Sequence, residues 1–181
     1  MKSPQGTLAL APDVTLEPRA ARDYREMFEV VERYRTVLRE WLPWVDATRT
    51  PADALSYARF AERQAVAGFA FDYAVRAHGR IVGAIGLHHV EWPDALAHLG
   101  YWLVPDARGR GLATRAVAAL ERRAFDWLGM HRLEIRCVLE NVRSRAVAER
   151  SGYRFEGTLR EAYALHGRFA DLALYAKLAG D

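Results

Sequence analysis

The sequence predicts a mixed α/β fold, one sheet flanked by helices, and three observations predict it. Segments with alternating apolar and polar residues are interleaved with segments of 3.6-residue periodicity, in the order strand, two helices, three strands, helix, strand, helix, two strands. The three middle strands are joined by tight turns and read as an antiparallel meander. The long helix after them leads into another strand, which a right-handed crossover sets parallel to the strand before the helix.

Residues 1–8 read as a loose leader, and 1–181 as a single domain. Asp13 to Arg19 alternates and gives a first strand. From Arg22 the spacing of Tyr24, Phe28, Val31, Tyr34 and Leu38 predicts a helix that Pro43 breaks within Trp41-Leu42-Pro43-Trp44. Thr50 and Pro51 stand as N-cap and first-turn residue of a second helix, with Leu55, Ala58 or Ala61, and Ala65 on its apolar face and Gly68 as its stop.

Phe69–Ala77, Ile81–Val90 and Leu96–Val104 are the meander strands, turned at His78-Gly79 and at 91–94. Leu112 to about Gly129 is the long helix, with Val117, Leu120, Ala124 and Leu128 on one face. His131–Leu139 alternates as a strand. Asn141 caps a short helix through Arg150. Tyr153–Ala162 and Asp171–Leu178 are the last strands, turned at His166-Gly167.

The 181 residues are enough for one buried core, and 51% of them are apolar. The net charge of +3 is dispersed, with no run of five or six basic residues, so no nucleic-acid partner is implied. The single cysteine, Cys137, excludes an intramolecular disulfide and a multi-cysteine metal site, and reads as a small buried apolar group. No signal-type leader and no membrane-length apolar run is present, so no membrane partner and a cytoplasmic location are expected. No ligand spacing for a metal appears.

The chemistry concentrates in Gly100–Thr114, an apolar strand, a proline stop, a basic glycine turn and a helix start. Gly109 and Gly111 let the backbone bend and approach a ligand closely. The helix beginning at Leu112 aims its unpaired N–H groups and positive dipole end at that turn, and Arg108 and Arg110 add charge. This is an anion cradle suited to phosphate or pyrophosphate. It is not a P-loop, because no lysine follows Gly111, and not a dinucleotide fingerprint, because Ala113 stands where a third glycine is needed.

Arg108-Gly109-Arg110-Gly111-Leu112-Ala113 resembles the cofactor turn of the GNAT superfamily of N-acetyltransferases. The resemblance runs over nearly the whole chain and is closest to the RimJ/RimL-like branch, which acetylates ribosomal-protein N-termini. Trp41-Leu42-Pro43-Trp44, Gly100-Tyr101-Trp102-Leu103, Asn141-Val142-Arg143-Ser144, Ser151–Gly157 and Gly167–Asp171 carry it further. It implies a mostly antiparallel twisted sheet of about seven strands with about four helices and a splayed parallel pair at the cofactor cleft. It implies acetyl-CoA as cosubstrate, no metal, and transfer to a primary amine by direct attack through a tetrahedral intermediate. A protein or peptide N-terminal α-amine is the first acceptor to consider. The alternatives are a small amine (antibiotic, polyamine or amino-acid derivative) or a non-catalytic acyl-CoA-binding module. Homodimers occur in this branch.

By the same resemblance, the backbone of Leu103 and Val104 pairs with the pantetheine arm where the parallel neighbour splays away at Pro105, and an N–H near Val104 faces the developing oxyanion. The amides of Arg108, Gly109, Arg110, Gly111, Leu112 and Ala113, with Thr114, hold the pyrophosphate. Asn141 bonds a pantetheine amide or caps its helix. Ser144 occupies the position that protonates the departing thiolate. His98 stands where related sequences often carry a glutamate base. A second base position falls at Tyr163, with Glu161 two residues earlier and, by strand parity, on the same face. Trp41, Trp44, Tyr73, His88 and Tyr163 are candidates to line the acceptor site; the tryptophans also suit ordinary packing. An α-amine, with a pKa near 7.7–8.0, needs less base than a lysine near 10.4, and no strong carboxylate base is visible.

Overall fold

The computed structural model describes residues 6–181. Among them, eight strands form one sheet: β1 (Leu8–Ala11), β2 (Val14–Pro18), β3 (Phe71–Ala77), β4 (Arg80–Glu91), β5 (Leu96–Leu103), β6 (Arg132–Val138), β7 (Arg154–Leu165) and β8 (Arg168–Leu178). Their spatial order is β1-β2-β3-β4-β5-β6-β8-β7. Every neighbouring pair is antiparallel except β5 and β6. The meander and the parallel crossover pair therefore stand as the sequence predicts.

The helices are α1 (Tyr24–Arg33), α2 (Arg35–Arg39), α3 (Pro51–Ala67), α4 (Leu112–Arg122) and α5 (Val142–Arg150). α3 starts at a capping box: Thr50 Oγ1 accepts the Asp53 N–H, and the Asp53 carboxylate accepts the Thr50 N–H at 2.8 Å. Gly68 ends it in the left-handed region at φ 80°. α4 passes into a π-type turn over Arg123–Leu128 before Gly129 closes it at φ 72°.

Two expectations are corrected. Leu8 opens a strand, so the leader is shorter than 1–8; of that leader, residues 1–5 lie outside the described residues. Four residues are too few for a period to register, which hid β1. The first helix is two, because Tyr34 leaves helical geometry (φ −110°, ψ 18°) while its hydroxyl donates to Asp106 at 2.6 Å, across to the turn after β5. The mixed, mostly antiparallel sheet with a parallel pair stands as expected, with eight strands against about seven and five helices against about four.

Both faces of the sheet are covered. Phe71, Tyr73, Val75, Ile85, Leu87, Leu99 and Leu103 pack with Val117 and Leu120 of α4 and Val147 of α5 in the main core. On the opposite face, Ala74 and Ile81 pack with Met27 and Val31 of α1 and Leu38 of α2. Strand alternation separates Ala74 from its neighbours on β3, and the one-residue irregularity between Gly83 and Ile81 puts Ile81 on the face opposite Ile85 and Leu87. The site described next lies where β5 and β6 separate.

Candidate active site

β5 and β6 pair only at Leu96–Arg132, Ala97–Leu133 and His98–Glu134. Beyond His98 they diverge, while β4 stays paired with β5 as far as Leu103. The opening therefore begins at His98 and not at Pro105. Its backbone groups follow from the ladder. Val104 N–H donates to Val82 carbonyl at 2.9 Å, so Val104 faces β4. Antiparallel pairs alternate, which turns Tyr101 and Leu103 toward the opening. The Leu103 backbone faces the opening, as the role expected of it requires; the Val104 N–H does not, because it is committed to Val82, and the Tyr101 backbone faces the opening instead.

The glycine turn lies just past the end of β5. Gly109 and Gly111 sit at φ 76° and 70°, and a Cβ on either meets nothing within 4 Å. Gly111 is the N-cap of α4, with no side chain capping the helix. The first helical bond runs from Arg115 N–H to Gly111 carbonyl. The amides of Gly109, Arg110, Gly111, Leu112, Ala113 and Thr114 thus have no internal partner among the described residues. The Arg108 amide differs: it closes a 3-10 turn on Pro105 carbonyl at 3.1 Å. Its side chain folds back, Nε donating to Leu103 carbonyl at 3.0 Å, and burial together with the charge of Arg143 lowers its pKa. Arg108 secures the corner between strand and turn and keeps its positive charge there. Six unpartnered amides, a helix N-terminus and the adjacent Arg108 and Arg110 beside a parted strand pair fit a pyrophosphate followed by an extended amide-bearing arm.

α5 borders the opening. Asn141 Oδ1 accepts the Ser144 N–H at 3.1 Å, so the cap reading of Asn141 holds and its amide NH2 stays available. Ser144 meets a residue that the sequence reading left without a role. Tyr101 Oη donates to Ser144 carbonyl at 3.0 Å, and Ser144 Oγ lies 3.3 Å from the same phenol oxygen. Burial raises the Tyr101 pKa, so the phenol stays protonated. The parity of Ala97, Leu99 and Leu103 was the available signal, since it places residue 101 on the α4 and α5 side.

On the other face a cavity of about 420 Å³ lies between the sheet and helices α1 and α3. Trp44, Tyr57, Asp72, His88, Gly100 and Trp102 are among its walls. Trp44 and Trp102 rings lie 6.0 Å apart and tilted. His88 and Trp44 are thus brought together as expected. Tyr73 is not with them: it is 1% exposed in the main core, because Phe71, Tyr73 and Val75 form the inward row of β3 and Asp72 the outward one. Trp41 and Tyr163 pack in a separate cluster with Leu165 and Leu172, the Tyr163 hydroxyl 3.5 Å from Trp41 carbonyl.

Glu161 does not share a face with Tyr163. Leu159 pairs with Leu172 and Tyr163 with Ala170, so β7 carries two extra residues between them. Glu161 takes φ 50° inside that bulge, is exposed, and donates its N–H to Asp171 Oδ1 at 2.8 Å. A bulge resets the parity on which the expectation rested.

His98 stands at the fork, outside the cavity walls. Its Nε2 lies 3.5 Å from Glu134, a carboxylate 5% exposed between Arg132 and Arg136. Burial, with the Arg136 charge, pulls the His98 pKa down to about 4, against the opposing pull of Glu134. Among the described residues no group of three or more His, Cys, Asp or Glu is placed to hold a metal. No helix there is long and apolar enough to cross a membrane.

Residues 13–154 match the family described as acetyltransferase (GNAT) domain. The Escherichia coli (strain K12) ribosomal-protein-serine acetyltransferase is 24% identical over 172 residues, 95% of this chain and 96% of that protein. The structure of RimL, a ribosomal L7/L12 alpha-N-protein acetyltransferase in complex with coenzyme A, superimposes with a TM-score of 0.91 at 21% identity, over 96% of this chain and 98% of that one. Mycobacterium smegmatis RimJ in complex with CoA-disulfide gives a TM-score of 0.87 at 26% identity, over 92% and 82%.

Proposed function

Because this chain belongs to the acetyltransferase (GNAT) family and transfers the acetyl group of acetyl-CoA to an amine, we propose that its acceptor is the N-terminal α-amine of a protein or peptide. The observation that carries this reading is the pairing of the two halves of the site. The glycine turn and the parted strands lie on one side of β5, and a cavity of about 420 Å³ with two tryptophans lies on the other. Pockets of that size take a drug-sized ligand or one to two residues, not a folded surface. RimL is a ribosomal L7/L12 alpha-N-protein acetyltransferase and the Escherichia coli relative a ribosomal-protein-serine acetyltransferase, which supports the same choice and a cytoplasmic location.

In this reading the amides of residues 109–114 and the adjacent arginines hold the pyrophosphate. The Asn141 NH2 and the Tyr101 and Leu103 backbone hold the pantetheine arm. One of those β5 N–H groups faces the thioester oxygen, where a fixed donor favours the charge that develops on attack. The Tyr101–Ser144 hydroxyl pair stands on the α5 side, suited to give a proton to the departing sulfur.

Two measurements test this. Calorimetry should show saturable acetyl-CoA binding, and CoA release should accelerate with a synthetic peptide beginning with serine. Turnover with free polyamines or aminoglycosides but not with the peptide reassigns the acceptor to a small amine. Tight acetyl-CoA binding with no turnover on any amine reassigns the chain to a binding module.

A further inference from the structure

The acetyl-transfer reading leaves open which group takes the proton of the acceptor. A protonated amine has no lone pair for attack, so the site needs a proton acceptor on the cavity side of β5. His98 is a poor one. It is not one of the cavity's lining residues and is engaged by Glu134. With its pKa drawn down to about 4, it cannot hold a proton taken from an amine near 8. Glu161 is exposed in the β7 bulge. Tyr163 packs away from the cavity.

His88 lies directly across the β4–β5 ladder from His98, and it does line the cavity. Its Nε2 is 3.4 Å from Asp72 Oδ1. Asp72 is 10% exposed, and its other oxygen accepts the Tyr57 hydroxyl at 3.1 Å. Tyr57 is steadied in turn by the Arg19 guanidinium, 4.5 Å above its ring. Burial, then the Asp72 charge, raises the Tyr57 pKa, so this phenol stays a donor and fixes the carboxylate.

Two glycines make room for the pair. Gly86 and Gly100 face each other across β4 and β5. A Cβ on Gly86 would sit 2.3 Å from Asp72 Oδ1 and 3.0 Å from His88 Nε2, and one on Gly100 would sit 3.8 Å from the same nitrogen. The imidazole therefore lies against β5 one residue before Tyr101, whose backbone faces the opening. His89 follows in the left-handed region at φ 47°, within an irregularity that puts one extra residue on β4 between His88 and Glu91. Bulges of this kind re-aim side chains beside active sites.

We propose that Asp72 and His88 form a two-point receptor for the acceptor's ammonium group, and that His88 takes its proton. This rests on the acetyl-transfer reading. Asp72 holds one N–H of the ammonium, and His88 accepts another proton at Nε2. The freed lone pair forms the C–N bond to the thioester carbon, and the C–S bond breaks with its electrons going to sulfur. The amide nitrogen loses its second proton as the sulfur gains one, so one net proton remains on His88 and leaves through the cavity. The charged and titratable groups around His88 are Asp72 on β3, Asp53 and Tyr57 on α3, Arg19 after β2, His98 on β5 and His89 beside it on β4.

The test uses His88→Gln, His88→Ala and Asp72→Asn in the full chain, with acetyl-CoA and a serine-initiated peptide plus a panel of small primary amines. Acetyl-CoA affinity should stay within about twofold in all three, which also reports folding. With the best acceptor, His88→Gln should lower kcat by about a hundredfold or more, the range of a lost general base. Added imidazole should restore part of the rate to His88→Ala. Asp72→Asn should raise KM for the amine more than it lowers kcat. A His88→Gln enzyme within about threefold of wild-type kcat, or a His88→Ala enzyme indifferent to imidazole, overturns the receptor while leaving the acetyl-transfer reading intact. Wild-type protein that acetylates no amine overturns that reading and the receptor with it.

Discussion

The hydroxyls of Tyr101 and Ser144 meet across the opening, the first donating to the Ser144 carbonyl at 3.0 Å and the second lying 3.3 Å from the phenol oxygen. One group sits on β5 and the other on the first turn of α5, so the contact ties together the two elements that border the opening. In the proposed mechanism this pair of hydroxyls relays a proton to the departing sulfur. Tyr101→Phe and Ser144→Ala should each lower kcat by roughly a hundredfold, the low end for acid catalysis, since a thiolate already leaves fairly well. The double variant should lose little more than either single one, as members of a shared network do. Steady-state kinetics of the four enzymes checks both points. Additive losses would mean that the hydroxyls act separately.

Gly86 lines the cavity beneath α1 and α3 and leaves no room for a side chain. An alanine methyl there meets Asp72 Oδ1, His88 Nε2 and the Phe71 carbonyl oxygen at 2.3, 3.0 and 3.1 Å. The side chains can yield; the backbone oxygen cannot without bending β3. Gly86→Ala should cost about 1–3 kcal/mol, the usual range for overpacking, and should weaken the acceptor's KM more than acetyl-CoA binding. Denaturant melts and titrations on one preparation measure both.

His98 makes an acid-sensitive contribution to stability. Its folded pKa of about 4 lies below the ordinary histidine value of 6.5. The unfolded chain therefore binds the proton more readily. Stability is complete above pH 6.5 and falls as pH drops through the window from 6.5 to about 4. Taken at face value the shift is worth about 3 kcal/mol, and the 20% exposure of the side chain reduces that figure. His98→Gln should lose less Tm than wild type between about pH 7 and pH 4.5. Parallel Tm–pH curves would contradict the assignment.

The glycine turn separates strain from binding. Gly111 occupies φ 70° with nothing near its missing Cβ, so Gly111→Ala meets conformational strain alone, about 1 kcal/mol. If that strain turns the turn's amides away from the pyrophosphate, acetyl-CoA affinity should fall about tenfold, as for one lost hydrogen bond to a charged group. Calorimetry of the variant beside its melting curve distinguishes the two effects.

Much of this was legible in the amino-acid order. The Thr50 cap and Pro51 start, the meander turns, Gly68 and Gly129 as helix stops, and the Asn141 cap all follow from local chemistry that tertiary packing did not override. The glycine turn was legible because αL geometry and helix start depend on a few adjacent residues. The acceptor side was less so. Tyr73 and Asp72 are neighbours on one strand, and only the knowledge that 71, 73 and 75 face inward moves the role from the tyrosine to the aspartate. The β7 bulge leaves no period to read, so Glu161 seemed to share a face with Tyr163. The Tyr101–Ser144 contact joins residues 43 positions apart and needs the fold itself.

Delivery of the acetyl group to an α-amine is the step on which the rest depends. The direct measurement is tandem mass spectrometry of a serine-initiated peptide that also carries an internal lysine, after incubation with the protein and acetyl-CoA. Acetylation on the N-terminal nitrogen, lost when that amine is blocked beforehand, is the predicted result. Acetylation on the lysine alone, or none while acetyl-CoA stays bound, would contradict it.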